Sequence, residues 1–187
     1  MMVRNVGFTL GVALMMIGAT GCMSKNEDMR PQRSAELDRL NMMVGNWETT
    51  AETKIMGEDE AVKGSGKSIS AWECDGWCLV ERGQYDMGGD MGKMNGVAIW
   101  TWDPKAKKYR TFWADSMGST AVGTGRYNEA TKTWHMKGKG HGPMGTTHAR
   151  GTAKMIDDKT VEWCYKEGFG PFGMIKFMEM NGTSKKK

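Results

Sequence analysis

From Gly45 to the C-terminus, short runs of β-branched and aromatic residues alternate with polar ones, and Gly, Asn or Asp clusters break them about every 8 to 14 residues. This period-2 pattern predicts strands near 46–54, 66–74, 78–87, 95–103, 108–115, 119–127, 132–139, 146–156, 160–167 and 174–181. Cys74-Asp75-Gly76-Trp77-Cys78, Asp103-Pro104-Lys105-Ala106-Lys107 and Ile156-Asp157-Asp158-Lys159-Thr160 read as tight reversals between them. No helical period lies between the strands, which excludes βαβ units and a parallel sheet. Upstream, Ser34 stands as an N-cap, and Leu37, Leu40, Met43 and Val44 fall at helical spacing, so a short helix is expected over about 35–43. The pattern therefore predicts an all-β chain: a single antiparallel up-and-down β-barrel of about ten strands with a short N-terminal helix. Closure into a barrel removes the exposed edges of such a meander.

Alternation also assigns faces. Tyr109, Thr111, Trp113 and Asp115 share one face of their strand, and Arg110, Phe112 and Ala114 the other. Likewise Val161, Trp163 and Tyr165 alternate with Glu162, Cys164 and Lys166. An outward Tyr109–Trp113 pair would leave about 150 Å² or more of apolar area per ring in water, so both are expected inside. Most of the 8 Trp are assigned to core, and the remainder to the lining of a cavity.

The first residues follow a different plan. Met1–Asn5 carries one positive charge, Arg4; Val6–Ile17 is apolar apart from Thr9 and two glycines; Gly18-Ala19-Thr20-Gly21 is small. This is the order of a secretory signal peptide, too short for the roughly 20 residues of a spanning helix. Ala19-Thr20-Gly21-Cys22 resembles the lipobox of bacterial lipoproteins, with Ala19 where that family usually has Leu. The resemblance implies that the Cys22 thiol receives a diacylglycerol and that Cys22 becomes the new N-terminus. Met23, rather than Asp, at the next position implies the outer membrane, facing the periplasm of a bacterial cell envelope. The chain then divides into a signal peptide (1–21), a polar tether (22–34), a barrel (35–182) and a basic tail (183–187).

Composition narrows the picture. Of 187 residues, 39% are hydrophobic and 26% charged, ordinary for a soluble domain and unlike collagen or a multi-span membrane protein. Lys and Arg number 26 against 22 Asp and Glu, a net +4 that sits partly in the tail. No dense basic run appears along the chain, so no nucleic-acid partner is expected. Gly numbers 26, about twice the usual share, and Met 19.

Candidate chemistry is sparse. Asp115 shares a face with Trp113 and could act as an acid or base inside a barrel; it could equally end its strand and order the turn into Ser116-Met117-Gly118. Gly-x-Ser-x-Gly, His-Glu-x-x-His and Walker patterns are missing, which favours a binding role over an enzyme and implies no cofactor. His135, His141 and His148, with Met136, Met144 and the loop methionines Met87, Met91 and Met94, are side chains that suit Cu(I), yet they lack a fixed chelating spacing, so no metal is assigned. Cys74 and Cys78 flank a three-residue loop, and a disulfide between them would fix the turn; Cys164 would then be a buried thiol. Gly138-Lys139-Gly140-His141-Gly142 and Gly64-Ser65-Gly66-Lys67 are rich in Gly and Lys but open no helix, and are read as hairpin loops rather than phosphate cradles.

One stretch carries a resemblance. Gly45-Asn46-Trp47 after a short helix has the Gly-x-Trp form of lipocalin-like, or calycin, barrels. Trp102-Asp103-Pro104, then Lys108-Tyr109-Arg110-Thr111-Phe112-Trp113-Ala114-Asp115-Ser116-Met117, then Gly125-Arg126-Tyr127-Asn128, is similar to the bacterial domain-of-unknown-function family 1579. The similarity covers about Leu37–Glu167, with Asp103-Pro104 departing from the family's turn. It implies a secreted calycin-like barrel and supplies no activity, since the family has none established. The sequence thus predicts an envelope lipoprotein that binds a small apolar or amphipathic ligand at a barrel mouth lined by some of Trp47, Tyr109, Trp113 and Asp115. Its membrane contact is the lipid anchor, and no protein partner is legible. A barrel enzyme using Asp115, a Met/His copper protein and a solid structural barrel are the alternatives.

Overall fold

Side chains alternate between the inside and the outside of a closed cylinder along ten strands. The computed structural model describes residues 32–187, so the expected signal peptide, Cys22 and most of the tether, residues 22–31, lie outside the described residues. The strands are β1 (Gly45–Ile55), β2 (Val62–Glu73), β3 (Cys78–Asp86), β4 (Lys93–Asp103), β5 (Lys108–Asp115), β6 (Thr120–Asn128), β7 (Thr133–Gly142), β8 (Gly145–Met155), β9 (Thr160–Phe169) and β10 (Ile175–Lys186). Each pairs antiparallel with the next, and β10 closes on β1. Arg33–Lys187 is one compact unit that holds the whole barrel, its helix and the core cluster, so it has what a chain needs to fold on its own.

The helix forms over the predicted range as one α-turn, α1 (Ala35–Asp38), continuing as a 3-10 helix over Arg39–Met43. Ser34 has the extended backbone of an N-cap, but its hydroxyl makes no capping bond; the Leu37 N–H instead bonds to the Ser34 carbonyl. So short a helix derives its stability from packing rather than from caps. Leu37 and Leu40 are driven into one end of the barrel, where they meet Leu79, Tyr109 and Trp134. Trp134 is fully buried and packs edge-on against Trp100 and Tyr109 and tilted against Tyr127, at centroid distances of 5.9, 4.7 and 4.9 Å.

Polar tips of barrel side chains latch this plug. The Trp47 indole N–H donates to the Met43 carbonyl at 2.8 Å, and that of Trp72 to Asn41 Oδ1 at 2.7 Å. The Tyr109 hydroxyl donates to the Glu36 carbonyl at 2.8 Å and accepts from Arg39, which also pairs with Glu129. Residues Thr183–Lys186, expected as part of a basic tail, complete β10 instead. Lys186 is opposite Trp47; its ammonium lies 5.1 Å from the Trp47 ring centre and donates to the Met42 carbonyl at 3.3 Å. A long cationic stem covering an aromatic ring makes a run of lysines compatible with a barrel strand.

The glycine-rich segments are strands, not hairpin loops. Gly64 and Gly66 face inward on β2 while Lys63 and Lys67 face out; Gly138, Gly140 and Gly142 face inward on β7 while Lys137, Lys139 and His141 face out. Charges cover the outer wall on many strands, for example Glu48, Lys54, Lys67, Arg82 and Lys166, which a bilayer-spanning barrel would not tolerate.

Candidate functional site

The two ends of the barrel are built differently. Near the helix, the inward side chains Leu79, Tyr109 and Trp134 are buried. Toward the other end, the inward side chains Glu81, Tyr85, Trp113, Asp115, Tyr165, Glu167 and Met178 stay partly exposed to solvent. Around the helix, Trp100, Trp102, Tyr127 and Met136 are partly buried too, but pack against that fully buried cluster. The helix packs into one end of the barrel, and at the other end the inward side chains are only partly buried.

Large rings in the open half lie against the wall rather than across the lumen. A Cβ at Gly83 would overlap the Tyr85 ring, and one at Gly96 would overlap the Trp113 ring. Glycine at these two places lets the Tyr85 ring lie along its own strand and the Trp113 ring lie over the neighbouring strand, which also covers the bare backbone. Tyr85 and Trp113 are neighbours, with ring centres 6.3 Å apart.

Three carboxylates are fixed among these rings. Asp115 accepts from the Trp113 indole N–H at 2.8 Å through one oxygen, and through the other from the backbone N–H groups of Met117 and Ser119, each at 3.0 Å. It therefore orders the β5–β6 turn and orients Trp113. Glu81 accepts from the Tyr85 hydroxyl at 2.9 Å. Glu167 accepts from Tyr165 at 2.9 Å and from Thr147. The inward face of this half thus carries aromatic rings and a few fixed polar groups.

Burial raises the ionisation of both tyrosines far above its ordinary value; the neighbouring carboxylates, Glu81 for Tyr85 and Glu167 with Asp115 for Tyr165, add to it. They act as hydrogen-bond donors throughout the physiological range. Burial likewise raises Tyr109 and Tyr127. A folded-state value above the unfolded one gives stability that is present below about pH 10 and lost as pH rises past it. In a spectrophotometric titration, Tyr85 and Tyr165 should therefore release their protons only as the barrel unfolds. Reversible ionisation of all four tyrosines near pH 10 in the folded state would contradict this placement.

The residues singled out from the sequence separate into two groups. Trp47 and Tyr109 face inward but belong to the plug, whereas Trp113 and Asp115 line the open half. Tyr85, Tyr165, Glu81 and Glu167 join them there. In the sequence, the alternation Val161-Glu162-Trp163-Cys164-Tyr165 puts Tyr165 on the face of Trp163, and Gly83 two positions before Tyr85 marks the seat of the Tyr85 ring. His135, His141 and His148 lie on strand positions facing outward, whereas Met136 faces in. Among the described residues, no three His, Cys, Asp or Glu side chains gather as metal ligands. Cys164 faces outward and is half-buried, rather than a core thiol. Cys74, exposed, and Cys78, buried, both carry free thiols; the strand partner of Cys78 is Glu73, and Cys74 sits in the turn with φ 52°. Burial, with Cys74 beside it, pushes the Cys78 thiol up to about 11.

The fold is similar to that in the crystal structure of Rv2717c from M. tuberculosis, with a TM-score of 0.61 and 11% sequence identity over 83% of this chain and 99% of that one. More distant are the KdgM porin in complex with disordered oligogalacturonate (TM-score 0.46, 5% identity, 75% of this chain and 99% of that one) and EF1p2_mFAP2b bound to DFHBI (0.44, 12%, 79% and 95%). At such identities the likeness concerns the fold alone. No curated protein matches the chain. The family model described as "Protein of unknown function (DUF1579)" matches residues 32–183.

Proposed function

The chain belongs to this DUF1579 family, and from that premise we propose that it binds a small amphipathic molecule in the open half of the barrel. The observation that supports it is the cluster of inward aromatic and carboxylate side chains in this half that are not fully buried, set against the fully buried Leu79, Tyr109 and Trp134 beside the helix. Trp113, Tyr85 and Tyr165 supply apolar walls, and Glu81, Asp115 and Glu167 supply the polar anchor points. An uncharged fluorescent probe, N-phenyl-1-naphthylamine, should bind saturably at one molecule per barrel, with a blue shift on entering the lumen. Absence of saturable binding would count against the reading.

The setting proposed for this activity is the bacterial envelope, with Cys22 lipidated and the barrel held at the outer membrane. Charged, apolar and small residues in that order ending on Cys22 support it. Labelling with a radioactive fatty acid should mark the wild type and not Cys22→Ser; equal labelling would exclude the anchor. In that oxidising compartment we propose that Cys74 and Cys78 join as a disulfide. Cys78 stays protonated at neutral pH, so the exposed Cys74 is the thiol that reacts first. A thiol count on the exported protein bearing Cys22→Ser should find Cys164 alone; three free thiols would reject the bond.

A further inference from the structure

The register of β5 to β9 assembles a patch that the linear sequence does not display. On the outer wall, Lys137 stands directly opposite Arg150, and Arg150 directly opposite Lys166. Thr124 and then Arg110 continue this row on the other side of Lys137. Arg126 pairs with His135 one step along. Like charges directly opposite one another on a sheet destabilise it. Arg110 and Lys166, at the flanks, are paired with Asp103 and Glu179. Among the described residues, no ion pair joins Arg126, Lys137, Lys139 or Arg150. Together with Lys108 and Lys166, three of these line a groove of about 640 Å³ on the outer surface.

A second row runs beside the cationic one. Ile99, Phe112 and Val122 are consecutive cross-strand neighbours, and Lys139 is next in line. All three face outward, with 36%, 46% and 56% of their surface exposed. A contiguous apolar row against unpaired lysines and arginines is the composition of a surface that lies at the boundary between lipid headgroups and acyl chains. A free polyanion would meet the charges and leave Ile99 and Val122 without a partner.

We propose that the outer wall of β5 to β8 docks on an anionic lipid bilayer, with Phe112 and Val122 in the headgroup boundary and Arg126, Lys137, Lys139 and Arg150 on lipid phosphates. This contact is made by the barrel wall itself, separately from any anchor on Cys22 and from the lumen.

The test uses the Arg33–Lys187 unit, which lacks the N-terminal segment, with vesicles of phosphatidylcholine alone or mixed equally with phosphatidylglycerol. The protein should sediment with the mixed vesicles and not with phosphatidylcholine, and binding should weaken steeply as salt rises. Lys137→Glu with Arg150→Glu should weaken it at least about tenfold, as should Arg126→Glu with Lys139→Glu, with the unfolding midpoint showing that each pair still folds. Phe112→Ser with Val122→Ser should weaken it severalfold and leave the salt dependence in place. Lys63→Glu with Lys67→Glu, on the outer wall of β2, should change little. Failure to bind the mixed vesicles, or full binding by both charge-reversed pairs, would overturn the proposal. So would binding that ignores Phe112 and Val122 and is matched by an oligonucleotide or heparin, because that would mark a polymer rather than a bilayer as the partner.

Discussion

Trp134→Ala is expected to remove about 3–5 kcal/mol of stability, within the usual range for deleting a buried aromatic ring. The side chain is fully buried and touches Trp100, Tyr109 and Tyr127 at once, so its loss leaves a cavity that the surrounding rings cannot close without leaving their own partners. A loss of that size is a large share of the roughly 5–15 kcal/mol typical of a domain. Trp134→Phe should cost much less. It keeps most of the ring and deletes an indole N–H that has no hydrogen-bond partner among the described residues. Guanidinium unfolding of both variants measures this. A cost for Trp134→Ala below about 1 kcal/mol would mean that the plug is not the core of the fold.

Trp47→Ala and Trp113→Ala should separate stability from binding. Trp47 is buried, bonds to the Met43 carbonyl and lies under the Lys186 stem, so its truncation should also cost about 3–5 kcal/mol. Trp113 is partly exposed and held by the Gly96 wall, Tyr85 and Asp115, so its truncation removes only part of a packing shell. Its cost should be clearly smaller, while affinity for N-phenyl-1-naphthylamine falls by about tenfold or more, as for an aromatic wall of a pocket. Equal and severe destabilisation at both positions would favour a solid barrel with no ligand.

Strand number, order and antiparallel pairing were legible because period-2 alternation and turn residues are local signals. The faces of β5 and β9 followed from the same alternation. Reading was harder where the pattern inverts. Over Gly64–Lys67 on β2 and Gly138–Gly142 on β7 the inward positions are glycines and the outward ones Ser, Lys or His, so no hydrophobic face is visible there, and these segments look like loops. The rings that cover those walls come from residues elsewhere, such as Tyr85 against Gly66. The end of β10 was hidden for a related reason: Thr183–Lys186 reads as a charged tail until Lys186 is seen over Trp47, more than a hundred residues away in sequence. Of the two roles that its position suggests, Asp115 takes the turn-ordering one, through the Met117 and Ser119 amides. The cationic row of β7 to β9 is likewise a product of register, since Lys137, Arg150 and Lys166 are far apart along the chain.

The open half of the barrel is the central claim, and the unfolding midpoint of Ala149→Phe tests it directly. Ala149 faces the lumen between Gly138 and Glu167 on the neighbouring strands and is partly exposed. In an open lumen the added ring finds space, and stability should stay within about 0.5 kcal/mol of the wild type. In a filled one, overpacking should cost about 1–3 kcal/mol or more, and that result would contradict a hollow binding barrel.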